Sequence, residues 1–205
     1  MAVSKEFDID RLKKLFIICR NENDGLDMDS YIDAYDELSK LFRIFGTVFG
    51  FVASDVDEKV GILREYRSLP EKEEFKTIQS MIQYEMRTKT TKTMKASRTL
   101  LRLHRALEFV LEFMQEISNA DDSVRMSEVG SQAYDRTLAK FHPWLIRKGV
   151  HIAVYTLPNR KHLLQKMKIP DEKAKEVLVS VIEVGRLIYD ETQELYTTNN
   201  LLNLP

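Results

Sequence analysis

Apolar side chains recur at intervals of three and four residues along most of this chain. An α-helix turns once every 3.6 residues, so this spacing places them on one side of a helix. The pattern predicts about eight helices and no convincing strand, and therefore an all-α fold. Polar loops are predicted at residues 21–29 and 88–96. The predicted helices cover residues 8–20, 30–67, 71–87, 97–113, 125–141, 144–156, 159–167 and 171–196.

Glycine, proline and an apolar terminus modify this helical pattern. Gly46 and Gly50 stand inside the longest predicted helix, where they can bend it or let another helix approach closely. Pro143 follows His142 and breaks the pattern, because a residue before proline avoids the α region. Residues 200–205 (NLLNLP) are apolar for a chain end. We therefore expect this tail to dock back onto the protein.

The helix predicted at 97–113 carries Arg98, Arg102 and Arg105 at spacings of four and three, which places them in one stripe. Three converging guanidinium groups suit a dianion such as a phosphate monoester. Apolar residues occupy most of the rest of this helix surface. The edge predicted to face solvent includes His104. This combination suits a ligand with a charged head and an apolar body. The alternative is an ordinary solvated face whose arginines make weak ion pairs.

Composition and charge narrow the class of protein. Hydrophobic residues make up 43% of the 205 residues and charged residues 31%, which is typical of a soluble protein, and we expect a single domain over residues 1–205. The 31 basic and 32 acidic residues leave a net charge of −1, so nothing overall indicates nucleic-acid binding. Cys19 is the only cysteine, which excludes an intrachain disulfide and favours a reducing compartment. With no apolar signal core and no apolar run of about 18 residues, we expect a cytosolic protein without a spanning helix.

Four other positions are candidates for ligand or membrane contacts. Asp55 and Lys59 are spaced i, i+4 among several Val and Phe residues, so they form either an ordinary intrahelical ion pair or a polar pair that needs a ligand. His142 is either a helix-boundary histidine bonded to backbone or a neutral donor to a carbonyl or phosphate oxygen. Trp144, the only tryptophan, is either a core residue or a membrane-interface anchor.

Sequence signals for catalysis are poor. The chain has no GxGxxG segment and no phosphate-binding P-loop. Its single cysteine and scattered histidines do not have the spacing of a zinc site. Ser97 and His142 lack the context of a nucleophile elbow. We therefore expect no enzyme activity, no cofactor and no metal.

Five segments together resemble the glycolipid transfer protein superfamily, and within it the ceramide-1-phosphate-binding branch. Each segment alone is a weak signal, but the set keeps its order and spans nearly the whole chain. The segments are 51–59 (FVASDVDEK), 97–106 (SRTLLRLHRA), 133–147 (AYDRTLAKFHPWLIR), 157–161 (LPNRK) and 195–205 (LYTTNNLLNLP).

The resemblance implies a two-layer, all-helical sandwich that encloses an apolar cavity for lipid chains. It also implies roles for individual residues. Asp55 would accept a hydrogen bond from the sphingoid amide N–H, and Lys59 would help to hold the head group. Arg98 and Arg102 would bind the phosphate, with Arg105 as a third candidate.

Two further positions follow from the same resemblance. His142 would contact the amide carbonyl, although Pro143 stands next to it where a smaller or more flexible residue is expected. Glycolipid-binding relatives place tryptophan, which stacks on a sugar ring, where Arg102 stands. An arginine there removes the stacking surface and adds a charge. The resemblance therefore favours a phosphate head group over a sugar.

These observations predict a non-enzymatic carrier of ceramide-1-phosphate, active as a monomer that associates transiently with anionic membranes. Lys89, Lys92 and Lys95 precede the arginine helix and are candidates for membrane docking, since each basic residue near an anionic surface contributes about 1 kcal/mol. Ordinary solvated lysines are the alternative. Rival functions are a phosphosphingolipid sensor that acts through a protein partner, a neutral glycosphingolipid carrier, and a helical adaptor.

Overall fold

The computed structural model describes residues 6–21 and 25–205, and over these ranges it contains nine α-helices. Short turns and 3-10 segments join the helices. The helices are α1 (Ile9–Cys19), α2 (Met28–Ile44), α3 (Gly50–Arg67), α4 (Ile78–Thr88), α5 (Lys95–Asn119), α6 (Met126–Arg136), α7 (Trp144–Tyr155), α8 (Arg160–Lys166) and α9 (Ala174–Thr198). The predicted all-α fold is confirmed.

The helix predicted at 30–67 is two helices, so that prediction is wrong. Phe45 ends α2, and Gly46 follows with φ 132° and ψ 166°, a conformation that only glycine adopts at low cost. A 3-10 turn at Thr47–Phe49 then leads into α3. The chain therefore reverses at Gly46, and α3 packs back against α2.

Other predicted boundaries also shift. Helix α4 begins at Ile78 rather than at residue 71, because Thr77 caps it by accepting a hydrogen bond from Ser80 N at 3.0 Å. Helix α6 ends at Arg136 instead of 141, and a 3-10 turn follows at Ala139–Phe141.

The region predicted as the polar loop 21–29 contains a short ordered pairing. Strands β1 (Arg20–Asn21) and β2 (Gly25–Leu26) form a two-stranded antiparallel sheet, and residues 22–24 lie outside the described residues. Asp27 then caps α2, since its side chain accepts from Ser30 N at 2.8 Å. This pairing of two residues with two leaves the predicted all-α fold class unchanged.

Contacts between neighbouring helices connect five of them in a ring. Helix α1 packs between α2 and α9, α2 packs on α3, and α5 joins α3 to α9. Helix α6 covers α5, and α7 covers α6. Buried apolar side chains from these helices form one continuous core. The single domain over residues 1–205 stays a prediction.

Helix α5 is fixed at its N-terminal half by three buried side chains. The carboxylate of Glu85 on α4 accepts hydrogen bonds from the amides of Ala96 at 3.1 Å and Ser97 at 2.8 Å. A carboxylate at a helix N-terminus satisfies free amides and complements the helix dipole. Tyr196 on α9 donates to Ser97 O at 2.6 Å, and Tyr35 on α2 donates to Leu103 O at 2.7 Å. The arginine stripe therefore lies on a rigidly held helix.

The predicted solvated edge of α5 is wrong at His104. This residue is 1% exposed, and its ring stacks on Tyr189 of α9 with centroids 4.3 Å apart. Its Nε2 forms a hydrogen bond with Gln193 Oε1 at 2.7 Å. Burial lowers the pKa of His104 to about 4, although the hydrogen bond that Gln193 Oε1 accepts from the ring opposes the shift. Helix α9 covers an edge that looks polar in the sequence.

Candidate functional site

Helices α3, α5, α6 and α7 and the C-terminal tail surround a cavity of about 640 Å³. Most of its wall is apolar, as expected of a site for a hydrocarbon ligand. Apolar side chains that line it include Phe42, Phe49, Val52, Val56, Phe109 and Val150.

The tail docks as predicted. Leu201 and Leu204 are buried, and Leu204 and Pro205 contribute to the cavity wall.

Five of the six predicted site residues line this cavity. They come from α3, from α5 and from the turn before α7, so three separate segments bring them together. These residues are Asp55, Lys59, Arg102, Arg105 and His142. Arg98 lies one turn before Arg102 on α5 and is not part of the cavity wall. It is half-buried, and its Nη1 donates to Lys92 O at 3.5 Å.

Asp55 and Lys59 form the ion pair that their spacing predicts. Lys59 Nζ lies 2.5 Å from Asp55 Oδ1. The Lys59 side chain is only 13% exposed, whereas that of Asp55 is 61% exposed. The lysine stem is therefore packed on the protein while the aspartate faces outward, with a carboxylate able to accept a further hydrogen bond.

The two cavity-lining arginines differ in their partners. Arg102 is exposed and makes no hydrogen bond or ion pair with any other described residue. Arg105 donates from Nη2 to Leu202 O at 2.6 Å, and its guanidinium lies 3.9 Å from the centroid of the Phe141 ring. Burial and the neighbouring charge of Arg102 both lower the pKa of Arg105. Arg102 is thus free for a ligand, while Arg105 already holds the C-terminal tail.

His142 follows a 3-10 turn and lines the cavity beside Tyr134. Its amide donates to Ala139 O at 3.2 Å, and its Nδ1 is 2.9 Å from the hydroxyl of Tyr134. Burial lowers the pKa of His142, Asp55 opposes this shift, and Lys59 adds to it. The imidazole is therefore neutral near pH 7. Pro143 does not move the ring away from the cavity.

Sequence reasoning missed Tyr134. The residue is 1% exposed and lines the cavity beside His142. Its only sequence signal is its place in segment 133–147, eight positions before the histidine. Because α6 ends between the two residues, helical spacing could not predict their contact.

The surface around α7 is apolar and exposed. Trp144 is 64% exposed, so its interpretation as a core residue is wrong. Leu145 and Tyr155 are 72% and 79% exposed on the same helix. Lys148 lies 5.7 Å from the Trp144 ring centroid. Large apolar side chains with a cation beside them are typical of a surface that meets a partner or a membrane interface.

Neither a metal-binding cluster nor a membrane-spanning helix is found among the described residues. In the described ranges, no group of three or more His, Cys, Asp or Glu side chains is placed to hold a metal ion. Among the same residues, none of the helices has the length and apolarity needed to cross a bilayer.

Comparisons with known proteins agree with this geometry. The sequence model of the glycolipid transfer protein family matches residues 26–169. Ceramide-1-phosphate transfer protein of Mus musculus is 33% identical over 211 residues, covering 98% of both chains. The crystal structure of the mouse protein in its apo form has a TM-score of 0.91 at 33% identity and covers 97% of this chain and 100% of that chain.

A second solved structure contains a lipid. Human ceramide-1-phosphate transfer protein in complex with 12:0 ceramide-1-phosphate has a TM-score of 0.90 at 29% identity, covering 97% of this chain and 100% of that chain. These similarities confirm the predicted two-layer helical sandwich with a lipid cavity. The chain therefore belongs to the glycolipid transfer protein family.

Proposed function

We propose that this protein carries ceramide-1-phosphate between membranes. The observation that carries the proposal is Arg102, an exposed guanidinium without a protein partner among the described residues, which lines the same apolar cavity as Lys59. A free cation next to a hydrocarbon-lined space fits a lipid with an anionic head. Relatives named ceramide-1-phosphate transfer protein, about one-third identical over nearly the whole chain, support this ligand.

The head group would be held by charge-assisted hydrogen bonds. A phosphate monoester carries about −1.5 to −2 charges at neutral pH. Lys59 and Arg102 would bind it directly. Arg98 would join them by giving up its long 3.5 Å bond to the Lys92 carbonyl. Asp55 keeps the cluster from carrying an excess of positive charge.

The amide of the ligand would form hydrogen bonds with two groups, one acceptor and one donor. The exposed carboxylate of Asp55 accepts a hydrogen bond from the amide N–H, and neutral His142 donates one to the carbonyl oxygen. A diacyl phosphate lipid has no amide N–H. Such a lipid would leave Asp55 without its donor and bind less well.

Transfer without chemistry follows from the balance of binding energies. Each buried CH₂ is worth about 0.8 kcal/mol, in the cavity as in a bilayer. Hydrocarbon burial therefore favours neither location strongly, so the lipid can leave as well as enter. No nucleotide, metal or catalytic step is needed, and labelled ceramide-1-phosphate incubated with the protein should yield no product.

Membrane docking would use the α7 surface and the lysine loop. Trp144 and Leu145 would enter the interface, and Lys89, Lys92 and Lys95 would face anionic head groups. Cytosolic localisation with transient membrane contact is part of this proposal. Changing the three lysines to glutamate should slow transfer from phosphatidylserine-containing vesicles but not from neutral ones. Transfer by this variant at the wild-type rate from the phosphatidylserine-containing vesicles would remove the loop from the docking surface.

The decisive experiment compares Arg102→Leu with a control at an exposed arginine away from the cavity. Arg125 directly precedes α6, and its side chain is 79% exposed and does not line the cavity. Arg125→Leu is that control. We expect Arg102→Leu to abolish transfer of ceramide-1-phosphate between vesicles while the unfolding midpoint stays unchanged. Transfer at the wild-type rate would refute the phosphate assignment.

Native mass spectrometry with mixed sphingolipids separates the head-group alternatives, and the vesicle transfer assay separates a carrier from a sensor. The carrier predicts a complex with ceramide-1-phosphate and little neutral glycosphingolipid, because Arg102 offers a charge and no ring for a sugar. A lipid sensor would bind the same ligand tightly but transfer it slowly. A helical adaptor would bind neither lipid.

A further inference from the structure

His142 and Tyr134 form a hydrogen-bonded pair in the cavity wall. The Tyr134 hydroxyl lies 2.9 Å from His142 Nδ1, and the two ring centroids are 5.8 Å apart. Throughout the described chain, neither this hydroxyl nor His142 Nε2 has another hydrogen-bond partner. The pair therefore leaves one imidazole nitrogen, Nε2, available to a ligand.

The direction of this hydrogen bond follows from the burial of Tyr134. The side chain is 1% exposed, so its O–H cannot donate to bulk water. Burial raises the pKa of the Tyr134 phenol to about 12, so the proton is present near pH 7. If Nδ1–H were the donor, the buried O–H would be left without an acceptor, which is unfavourable. The phenol therefore donates, Nδ1 accepts, and the imidazole proton is on Nε2.

Both partners are held in place. The Tyr134 ring meets Phe109 and His151 edge-on, at interplanar angles of 82° and 89°. On the other side, Pro143 and the bond from His142 N to Ala139 O fix the backbone of the histidine. The hydroxyl and Nδ1 consequently meet in one arrangement.

The charged groups around the pair do not change which of the two residues donates this hydrogen bond. Asp55 favours a protonated His142, while burial and Lys59 favour the neutral ring. Near Tyr134, the charges of Arg147 and Asp135 act in opposite directions on the phenol.

We propose that Tyr134 is a positioning residue that holds His142 as the Nε2–H tautomer, so that the cavity wall carries a donor at His142 as well as the acceptor Asp55. A secondary amide offers one N–H and one carbonyl oxygen, which matches this pair. The Nδ1–H tautomer would turn Nε2 into an acceptor and repel the carbonyl. Tyr134 thereby determines selectivity for amide-linked over ester-linked phospholipids, an inference that rests on the proposed function for its ligand.

The tautomer is measured on the lipid-free protein with ¹⁵N-labelled histidine by two-bond proton–nitrogen correlation NMR. The signals of His142 are assigned by their loss in His142→Gln. We expect a single Nε2–H tautomer in the wild type at neutral pH and a mixture of both tautomers in Tyr134→Phe, which keeps the ring but loses the hydroxyl. Tyr155→Phe, at a 79% exposed tyrosine, is the control and should match the wild type.

Two NMR results would overturn the tautomer assignment. One is a wild-type His142 in the Nδ1–H form, which needs no variant and stands even if Tyr134→Phe fails to fold. The other is a folded Tyr134→Phe protein whose His142 keeps the single Nε2–H tautomer.

Selectivity is measured as the ratio of transfer rates for ceramide-1-phosphate and phosphatidic acid of matched chain length. Tyr134→Phe should lower this ratio about three- to ten-fold, the range expected for one hydrogen bond. In a His142→Gln background the same change should have no further effect. An unaltered ratio despite mixed tautomers would refute the selectivity role. If the wild type transferred neither lipid, the proposed function would fail while the tautomer result remained.

Discussion

Replacing Arg105 with methionine should loosen the C-terminal tail and lower stability by about 2 kcal/mol. The variant keeps an aliphatic side chain of similar length but loses the bond from Nη2 to Leu202 O at 2.6 Å and the contact with the Phe141 ring at 3.9 Å. A hydrogen bond from a charged donor contributes about 1.5–3 kcal/mol, and a cation–π contact about 0.5–1 kcal/mol at an exposed site. Arg105 is only half-buried, so the lower ends of both ranges apply.

Urea unfolding and amide hydrogen exchange measure the two parts of this prediction. With a urea slope of about 3 kcal/mol/M for a chain of this size, the midpoint should fall by about 0.7 M. The amides of Leu201 and Leu204, which donate to Tyr196 O and Leu201 O, should exchange faster. Arg102→Met is the matched control on the same helix. Because Arg102 has no hydrogen-bond or ion-pair partner among the described residues, this variant should shift the urea midpoint by less than about 0.2 M.

The opposite pattern would refute the structural role of Arg105. If Arg105→Met left the midpoint and the tail amides unchanged but abolished lipid transfer as Arg102→Leu does, Arg105 would be a third phosphate ligand. The contact with Leu202 would then not be what holds the tail.

Other perturbations test the fold and its pH dependence. Gly46→Ala should lower the free energy of unfolding by about 1–3 kcal/mol, because φ of Gly46 is 132°. Gly50→Ala should raise it by about 0.5–1 kcal/mol, because φ of Gly50 is −56° and its surroundings are open. Equal melting temperatures of the two variants would refute the strain argument. Because the pKa of His104 is about 4 in the folded protein and 6.5 in the reference state, the unfolded chain binds more protons between these values. Stability on the order of 3 kcal/mol should therefore be lost as pH falls from 6.5 to 4, and His104→Gln should lack this loss in urea titrations across that range. Glu85→Gln should lower the urea midpoint by the equivalent of about 1–3 kcal/mol, because an amide oxygen cannot replace both carboxylate oxygens at the start of α5; an unchanged midpoint would contradict this.

Periodicity predicts the helices well but cannot show where one helix becomes two. Phe42, Phe45, Phe49 and Val52 keep intervals of three and four across the break at Gly46. The 3-10 turn at Thr47–Phe49 preserves that spacing while the chain reverses. The glycine was the only local signal, and its φ is not visible in the sequence.

Partners distant in sequence are also beyond local patterns. His104 pairs with Gln193, 89 positions away, and Arg105 with Leu202, 97 positions away. Helical spacing shows which residues share a face, but not which element covers that face. The Asp55–Lys59 pair, four positions apart, was predictable for the opposite reason. The convergence of α3, α5 and His142 was predictable only through the family resemblance.

The location of the polar groups determines how such a carrier can be selective. Hydrocarbon chains gain similar free energy in the cavity and in a bilayer, so the apolar wall can retain a lipid without distinguishing it from others. Discrimination must come from groups that a membrane lacks at a fixed geometry. We propose that in this protein these groups are the guanidinium of Arg102, the acceptor Asp55 and the donor His142, which all line the cavity. On this proposal, the charge of Arg102 would select phosphate over sugar, whereas the donor–acceptor pair of His142 and Asp55 would select amide over ester. Because separate residues carry the two selections, Arg102→Leu should remove the first and Tyr134→Phe only the second.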